Sequence, residues 1–95
     1  MARRGFEALE LEMQGERAQA LKRVAEGMEK ALDDLRRCDA GELEADRAEL
    51  VAIAAERVWF YVVQRESLGW FHHDQALRSY GVTEELYLKM GPRRT

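Results

Sequence analysis

The sequence FHHD at residues 71–74 is the stretch of this chain whose residue types best suit a metal site, because imidazole and carboxylate groups are common metal ligands. Neighbouring residues of a helix project about 100° apart, so these side chains would not converge on one ion. No Cys-x-x-Cys or His-x-x-x-His spacing supplies a further ligand, which would have to be Glu66 or Cys38 brought in by folding. The sequence therefore predicts no metal and no cofactor. Asp74 is interpreted as a first-turn acid and the two histidines as surface or interface groups.

The sequence supports a catalytic nucleophile no more strongly than it supports a metal site. Cys38, the only cysteine, follows two arginines that would favour a thiolate, but it lies near a helix C terminus and on an apolar seam. A free cysteine in that position usually serves as a small hydrophobic residue. Ser67 and Ser79 lack a nucleophile-elbow motif, and no glycine-rich phosphate loop is present. We therefore expect no catalytic residue and no enzymatic activity.

Charge and composition narrow the classes of partner. The net charge is −3, which argues against generic affinity for nucleic acid or for an anionic membrane. The longest apolar run, residues 58–63, is far too short to span a bilayer. A single thiol and the lack of a recognisable signal peptide favour a cytoplasmic protein. The excess of arginine over lysine, 12 to 3, is typical of a GC-rich bacterial genome.

The first element that could position these groups is a long helix, predicted over residues 6–38. Its apolar positions alternate spacings of three and four, as in a coiled coil: Leu21, Val24, Met28, Ala31, Leu35 and Cys38. Phe6, Leu9 and Met13 form a second short seam that does not share one heptad register with the first. Gly15 lies between the seams, and a continuous helix and a helix broken there both stay open.

A second helix is predicted over residues 43–68. It is apolar nearly all round, so it should be buried on more than one side as the central element. Shorter helices near 72–80 and 84–90 follow. The apolar run at 58–63 could pair as a strand, but its flanks carry no turn signal. The predicted fold class is therefore all-α, with a long antiparallel helical hairpin followed by two short C-terminal helices in a single domain, 1–95.

A glycine follows each predicted helix: Gly41, Gly69, Gly81 and Gly91. Glycine readily adopts the left-handed conformation, which lets the last carbonyl groups of a helix accept hydrogen bonds from the residues that follow. The signature is fullest at Gly81. Val82 should fold back on Leu77, which is the hydrophobic contact of a Schellman motif. Thr83 should then cap the next helix. These residues predict a tight structural turn between the two short helices.

The same turn is similar to a helix-turn-helix spanning residues 71–90. In a DNA-binding domain the second helix would present Thr83, Glu84 and Glu85 to base edges, where carboxylates are repelled by phosphates. Leu77 also stands where a small residue is expected for close helix approach. The turn signals require no DNA, so a nucleic-acid partner is not predicted. A DNA-binding transcriptional regulator is kept as the alternative function.

Five of the eight aromatic residues lie between residues 59 and 71: Trp59, Phe60, Tyr61, Trp70 and Phe71. Packing in the core against the central helix is the expected arrangement, since that helix needs bulky partners. An aromatic groove for a ligand or a peptide is the other reading.

Several short stretches of the C-terminal half carry a family resemblance: VQRE at 63–66, LG at 68–69, YGV at 80–82 and MG at 90–91. With these stretches the chain resembles a family of small helical bacterial proteins of unknown function. The resemblance covers about the last 45 residues. It implies no activity, site or cofactor.

A second copy of the chain is the expected partner. In an antiparallel hairpin of the predicted lengths, Leu68 lies roughly level with Met13, so Phe6 and Leu9 extend beyond it. Either the short helices fold over these side chains or a second chain does. The sequence predicts a homodimer with Phe6, Leu9 and Met13 at the interface. The predicted function is that of an interaction or structural module, and an unidentified protein partner is a further option.

Overall fold

The computed structural model describes the backbone of residues 2–92 and the side chains of residues 15–92. Four α-helices follow one another: α1 (Ala2–Asp39), α2 (Arg47–Ser67), α3 (Asp74–Ser79) and α4 (Glu84–Lys89). The described backbone contains no β-strand. α1 and α2 pack as a hairpin, and α4 packs on α2. The all-α class, with two long helices followed by two short ones, is therefore confirmed.

α1 is continuous through Gly15, so a helix broken at that residue was the wrong alternative. One exposed glycine costs a helix only about 1 kcal/mol relative to alanine, which the flanking helix-forming residues offset. The seam that begins at Leu21 faces α2 as its spacing predicts. Met28, Ala31 and Leu35 are buried there, together with Ala25.

α2 begins at Arg47, four residues later than the expected start at residue 43. The reason is Asp46, whose carboxylate accepts a hydrogen bond from the amide of Ala48 at 3.1 Å and so fixes the helix start. Residues 42–45 form the connection instead, and the amides of Glu42 and Leu43 both donate to the carbonyl of Arg37. The spacing of Asp46 and Glu49 is that of a capping pair, a signal that favours this later start.

The core lies along α2. Half of the described buried apolar residues belong to this helix: Val51, Ala54, Ala55, Val58, Tyr61 and Val62. Near the C-terminal end of α2, Val58, Tyr61 and Val62 form a cluster with α1 and with Leu77 of α3. Near its N-terminal end, Val51, Ala54 and Ala55 form a second cluster with α1 and with Leu86 of α4. The prediction of a central helix buried on more than one side describes this arrangement.

The turn between α3 and α4 has the hydrogen bonds of a Schellman motif. The amide of Val82 donates to the carbonyl of Leu77 at 3.0 Å, and the amide of Gly81 donates to the carbonyl of Arg78 at 3.0 Å. Gly81 has a φ of +80°, and the Val82 side chain packs against the cluster that contains Leu77. The Thr83 hydroxyl accepts from the amide of Leu86 at 3.3 Å and caps α4. We call α3, this turn and α4 the C-terminal corner.

The expected bounds of the short helices differ from the observed ones. α3 starts at Asp74 rather than at residue 72, because residues 70–73 are held against the end of α2. α4 ends at Lys89, and Met90 is already extended, with φ −56° and ψ 128°. Gly91 is therefore the second residue past the helix. Its φ of +155° is far from the left-handed helical value near +57°, so Gly91 does not stop α4 as Gly81 stops α3.

Arg47, the first residue of α2, joins three helices through its side chain. Its guanidinium donates to Asp39 of α1 at 2.6 Å and to Glu85 of α4 at 3.0 Å. These hydrogen bonds lower the pKa of both carboxyl groups from their ordinary values and raise the pKa of Arg47. The three side chains are solvent-exposed, so the bonds fix the relative placement of the helices more than they add stability.

The turn at Gly81 gives the first test. Gly81→Ala forces a side chain into a left-handed residue and should lower the free energy of unfolding by about 1 kcal/mol. Gly27→Ala is the matched control, because Gly27 is helical and its new methyl group would meet only the flexible Arg57 side chain, at 3.9 Å. That control should raise stability by about 0.5–1 kcal/mol. Chemical denaturation measures both, and equal effects would show that the turn is not left-handed.

The hydrogen bonds of Arg47 give the second test. Both carboxyl groups have a lower pKa in the folded protein, so their contribution is complete above the unfolded pKa, about 4, and is lost as the pH falls through the folded value. Arg47→Gln should therefore lower the melting temperature at pH 7. The difference from the unsubstituted protein should shrink as the pH falls well below about 4.

Arg36→Gln is the control for this experiment. Arg36 pairs with Asp33 within α1, so its loss separates no two helices. Its effect on the melting temperature should be smaller than that of Arg47→Gln at pH 7. An Arg47→Gln effect that stays constant down to pH 2.5, roughly 1.5 units below an unfolded carboxyl pKa, would contradict the assignment.

Candidate interaction surfaces

The C-terminal corner is docked on the hairpin and does not stand free. Leu77 and Leu86 are almost fully buried, and Leu86 retains only 1% of its exposure. Glu85, in the first turn of α4, is bound to Arg47, and Lys89 lies 3.8 Å from Glu85 on the same helix. The structure thus brings together the predicted turn residues Gly81, Val82 and Thr83 and uses them to seat α4 against α2.

Several large apolar side chains remain exposed on the described surface: Val63, Trp70, Phe71, Tyr87 and Leu88. The expectation that the aromatic residues pack in the core was wrong for Trp70 and Phe71, which are 49% and 65% exposed. These two residues follow the turn at Gly69, where the chain leaves the hairpin. Tyr61 is buried as expected, and Trp59 and Phe60 are half-buried on α2, with ring centroids 5.5 Å apart.

A shallow groove of about 930 Å³ runs between α2 and the residues that follow α4. Its floor is formed by small side chains of α2: Ala48, Val51, Ala52 and Ala55. Leu88, Met90 and Pro92 form the opposite wall, and Arg47, Glu85 and Lys89 supply polar groups at its edge. The groove exists because α4 lies over only part of α2. The side chains of α2 that α4 leaves uncovered are small, so they do not fill the space.

A second recess, of about 470 Å³, lies between the end of α2 and the C-terminal corner. Its apolar lining includes Val62, Phe71, Leu77, Tyr87 and Met90. Met90 lines both recesses, so they adjoin at this side chain. The rest of the lining of the second recess is polar: His72, His73, Asp74 and Gln75. A partner that bound there would therefore meet both apolar and polar side chains.

The residues after the turn at Gly69 are fastened to α2 by Arg65. Its Nε donates to Nδ1 of His73 at 3.0 Å, and its terminal nitrogen donates to the carbonyl of His72 at 2.9 Å. The guanidinium also lies over the ring of Trp70, 5.3 Å from its centroid, and over the ring of Tyr61 at 5.8 Å. Nothing in the sequence pattern indicates this contact, since Arg65 and His73 are separated by a helix end and a turn.

The two histidines of the FHHD stretch therefore differ: one makes a structural contact and the other is exposed. His73 retains only 13% side-chain exposure and is the partner of Arg65, whereas His72 is exposed. Asp74 opens α3 as a first-turn acid. Within residues 15–92, no three His, Cys, Asp or Glu side chains gather in a way that could hold a metal ion.

Cys38 lies half-buried at the end of α1. Its Sγ is 3.7 Å from the carbonyl oxygen of Ala45, in the connection between the two long helices. This placement matches the sequence interpretation of Cys38 as a small apolar residue of the seam.

The predicted interface residues Phe6, Leu9 and Met13 lie outside the residues whose side chains the structure describes. The neighbouring described stretch, residues 15–19, is exposed throughout. Among the described side chains of α1, residues 15–39, Leu21 is the first that packs on the apolar core. Among the described helices, none combines the length and the apolar character that a membrane crossing requires.

Two leucines of α4 test whether this helix is docked as described. Leu86→Ala should lower the free energy of unfolding by about 2–5 kcal/mol, because it empties a buried site. Leu88→Ala is the matched control on the same helix, at a residue 75% exposed, and should change stability by less than about 0.5 kcal/mol. Equal effects in urea denaturation would contradict the docking of α4.

Comparison with known proteins gives one match. No curated protein and no solved structure matches this sequence. The model of a family of unknown function (DUF6665) matches residues 2–93. The resemblance to a family of unknown function is thus supported, but confining it to the C-terminal half was wrong, because the match takes in both long helices and the corner. The chain belongs to this family of unknown function, DUF6665.

Proposed function

We propose that this protein is a homo-oligomeric interaction module, in its simplest form a two-fold dimer joined through the N-terminal half of α1. The observation that carries the proposal is the difference in length between the two long helices. α1 has 38 residues and α2 has 21, so their lengths are about 57 Å and about 31 Å. Within one chain, α2 can therefore run beside only about half of α1.

The exposure of α1 supports this reading. Residues 15–19 are exposed throughout, and packing against α2 starts only at Leu21. On the N-terminal side of this stretch, Phe6, Leu9 and Met13 continue the spacings of three and four that make an apolar seam. An apolar seam that continues along a helix beyond its described contact with α2 is typical of a helix that associates with a second one.

The surface area of the chain expresses the same elongation as a quantity. The solvent-accessible surface is 7208 Å², whereas a compact monomer of 11.0 kDa exposes about 5,600 Å² by the usual scaling with mass. The excess is about 1,600 Å² for one chain. A standard protein interface buries about 800 Å² on each partner, so the excess is ample for a stable dimer.

The alternative, a DNA-binding regulator that uses residues 71–90, has less support. Its recognition helix would be α4, whose Leu86 is buried against α2 and whose Glu85 is bound by Arg47. The first turn of α4 carries Glu84 and Glu85, which phosphates would repel. Weak or absent binding to duplex DNA is part of the proposal. So are the lack of enzymatic activity and a cytoplasmic location, the latter favoured by the single free cysteine.

Sedimentation equilibrium tests the proposal. At tens of micromolar (a range set by typical dimer affinities), the fitted mass should be twice the chain mass of 11.0 kDa. Phe6→Glu combined with Leu9→Glu should shift the protein towards the single-chain mass, because two carboxylates would be buried without partners at the interface. A mass of one chain for the unsubstituted protein would defeat the proposal.

The matched control is Ala8→Glu combined with Gly15→Glu. It adds the same charge to the same part of α1, at helical positions away from the 6–9–13 seam. A Cβ atom added at Gly15 meets no other atom within 4 Å. The control should stay dimeric, and equal dissociation by both double variants would place the interface elsewhere.

A further inference from the structure

We infer that Arg65 and His73 form a pH-sensitive latch, which holds residues 70–73 against the end of α2 while His73 is neutral and releases them when His73 is protonated. The inference rests on contacts within one chain and does not depend on the proposed dimer. The observation that carries it is the direction of the hydrogen bond between the two side chains, because only one protonation state of His73 can accept it.

The Nε of arginine carries a hydrogen and can only donate, so Nδ1 of His73, at 3.0 Å, must be the acceptor. The imidazole is therefore neutral, with its hydrogen on Nε2. That Nε2 group is buried and has no hydrogen-bond partner among the described residues. The nearest carboxylate oxygen is Oε2 of Glu66, at 3.7 Å, which is too long for a hydrogen bond.

Protonation from solvent would place a hydrogen on Nδ1 and use the lone pair that accepts from Arg65. Two N–H groups, both on cationic side chains, would then face each other at 3.0 Å, so Arg65 must move away. Nε2 becomes part of an imidazolium beside Glu66, whose carboxylate can close the 3.7 Å gap to form a charge-assisted hydrogen bond. Each protonation state therefore satisfies a different partner on α2.

The charged and titratable groups around His73 come from every neighbouring element. α2 contributes Arg65, which favours the neutral form, and Glu66, which favours the charged form. Asp74 opens α3 beside His73 in the chain, and Tyr87 of α4 lines the same recess as His73. Imidazole is the side chain whose charge ordinarily changes between about pH 5 and 8, and that interval is the one in which the latch is tested.

Trp70 reports the state of the latch. The Arg65 guanidinium that donates to His73 also covers the Trp70 ring, at 5.3 Å, and donates to the carbonyl of His72. When Arg65 leaves His73, it must also leave Trp70 or lose its alignment with that ring. The consequence is a change in how the exposed pair Trp70 and Phe71 is presented, while α1, α2 and their core stay as they are.

The experiment uses the full chain with Trp59→Phe, so that Trp70 is the only tryptophan. Trp70 emission is measured from about pH 8 to about pH 5, the interval in which imidazole ordinarily titrates, with far-ultraviolet circular dichroism recorded on the same samples. We expect one transition, with a shift of the emission to longer wavelength as the pH falls, at constant helicity. NMR of the imidazole nitrogens should show His73 with its hydrogen on Nε2 at the high-pH end and an imidazolium at the low-pH end.

Two substitutions assign the transition. His73→Asn keeps an acceptor near the position of Nδ1 but cannot titrate, so it should abolish the emission change. His72→Asn is the matched control, since only the backbone carbonyl of His72 binds Arg65, and it should leave the change intact.

The outcomes decide between the latch and its absence. A transition that survives His73→Asn, or disappears with His72→Asn, would overturn the proposal. So would an emission spectrum that stays constant over the whole interval, whether or not NMR shows His73 to titrate. If His73→Asn proves unfolded by circular dichroism, the NMR titration of His73 in the Arg65→Gln variant replaces it. Loss of the donor should then raise the pH at which His73 titrates, and an unchanged titration would contradict the latch.

Discussion

The structure depends on one constraint, which is that a single helix, α2, must supply the core for everything else. Its buried side chains contact α1 along one side and the C-terminal corner along the other. Small and β-branched residues make this possible, because alanine and valine let two neighbours approach one helix closely. The same constraint limits how much of α1 can pack against α2. α2 is 21 residues long and α1 is 38, so α2 can run beside only part of α1.

Two arginines mark the two ends of α2 and fasten what lies beyond them. Arg47, at the first residue, bridges the end of α1 and the start of α4. Arg65, in the last turn, holds the segment that carries Trp70, His72 and His73. Exposed ion pairs contribute little to stability, so burial of Leu77 and Leu86 must supply most of the attachment of the corner. The arginines instead set its orientation, and only the bond at Arg65 depends on the charge of a histidine.

Local signals in the sequence predicted much of the fold. The spacing of apolar residues from Leu21 to Leu35 indicates the face of α1 that packs on α2, and residues 77–83 carry the signals of the turn before α4. Errors arose where one local signal outweighed another. At the start of α2, the apolar pattern that begins at Leu43 favours an early helix start, whereas the side chain of Asp46 fixes the first turn at Arg47. At Gly15, helix-forming neighbours prevail over the cost of one glycine.

The candidate surfaces were harder to predict, because they depend on contacts between distant residues. The need of α2 for bulky partners predicts that Trp70 and Phe71 are buried, yet both stay exposed although Arg65 holds residues 70–73 against the end of α2. The bond from Arg65 to His73 requires knowing that residues 70–73 return along α2, which no periodicity encodes. The groove beside α4 likewise follows from where a six-residue helix happens to end on α2.

The proposed dimer gives α1 two roles: its C-terminal half completes the core of one chain, and its N-terminal half would join two chains. Amide hydrogen exchange measured at two protein concentrations tests this most directly, because it reports each part of the helix separately. The account predicts that amides of residues 25–35 are protected equally at both concentrations, whereas those of residues 16–20 gain protection at the higher one. Rapid exchange of residues 16–20 at both concentrations, beside a protected 25–35 segment, would contradict it.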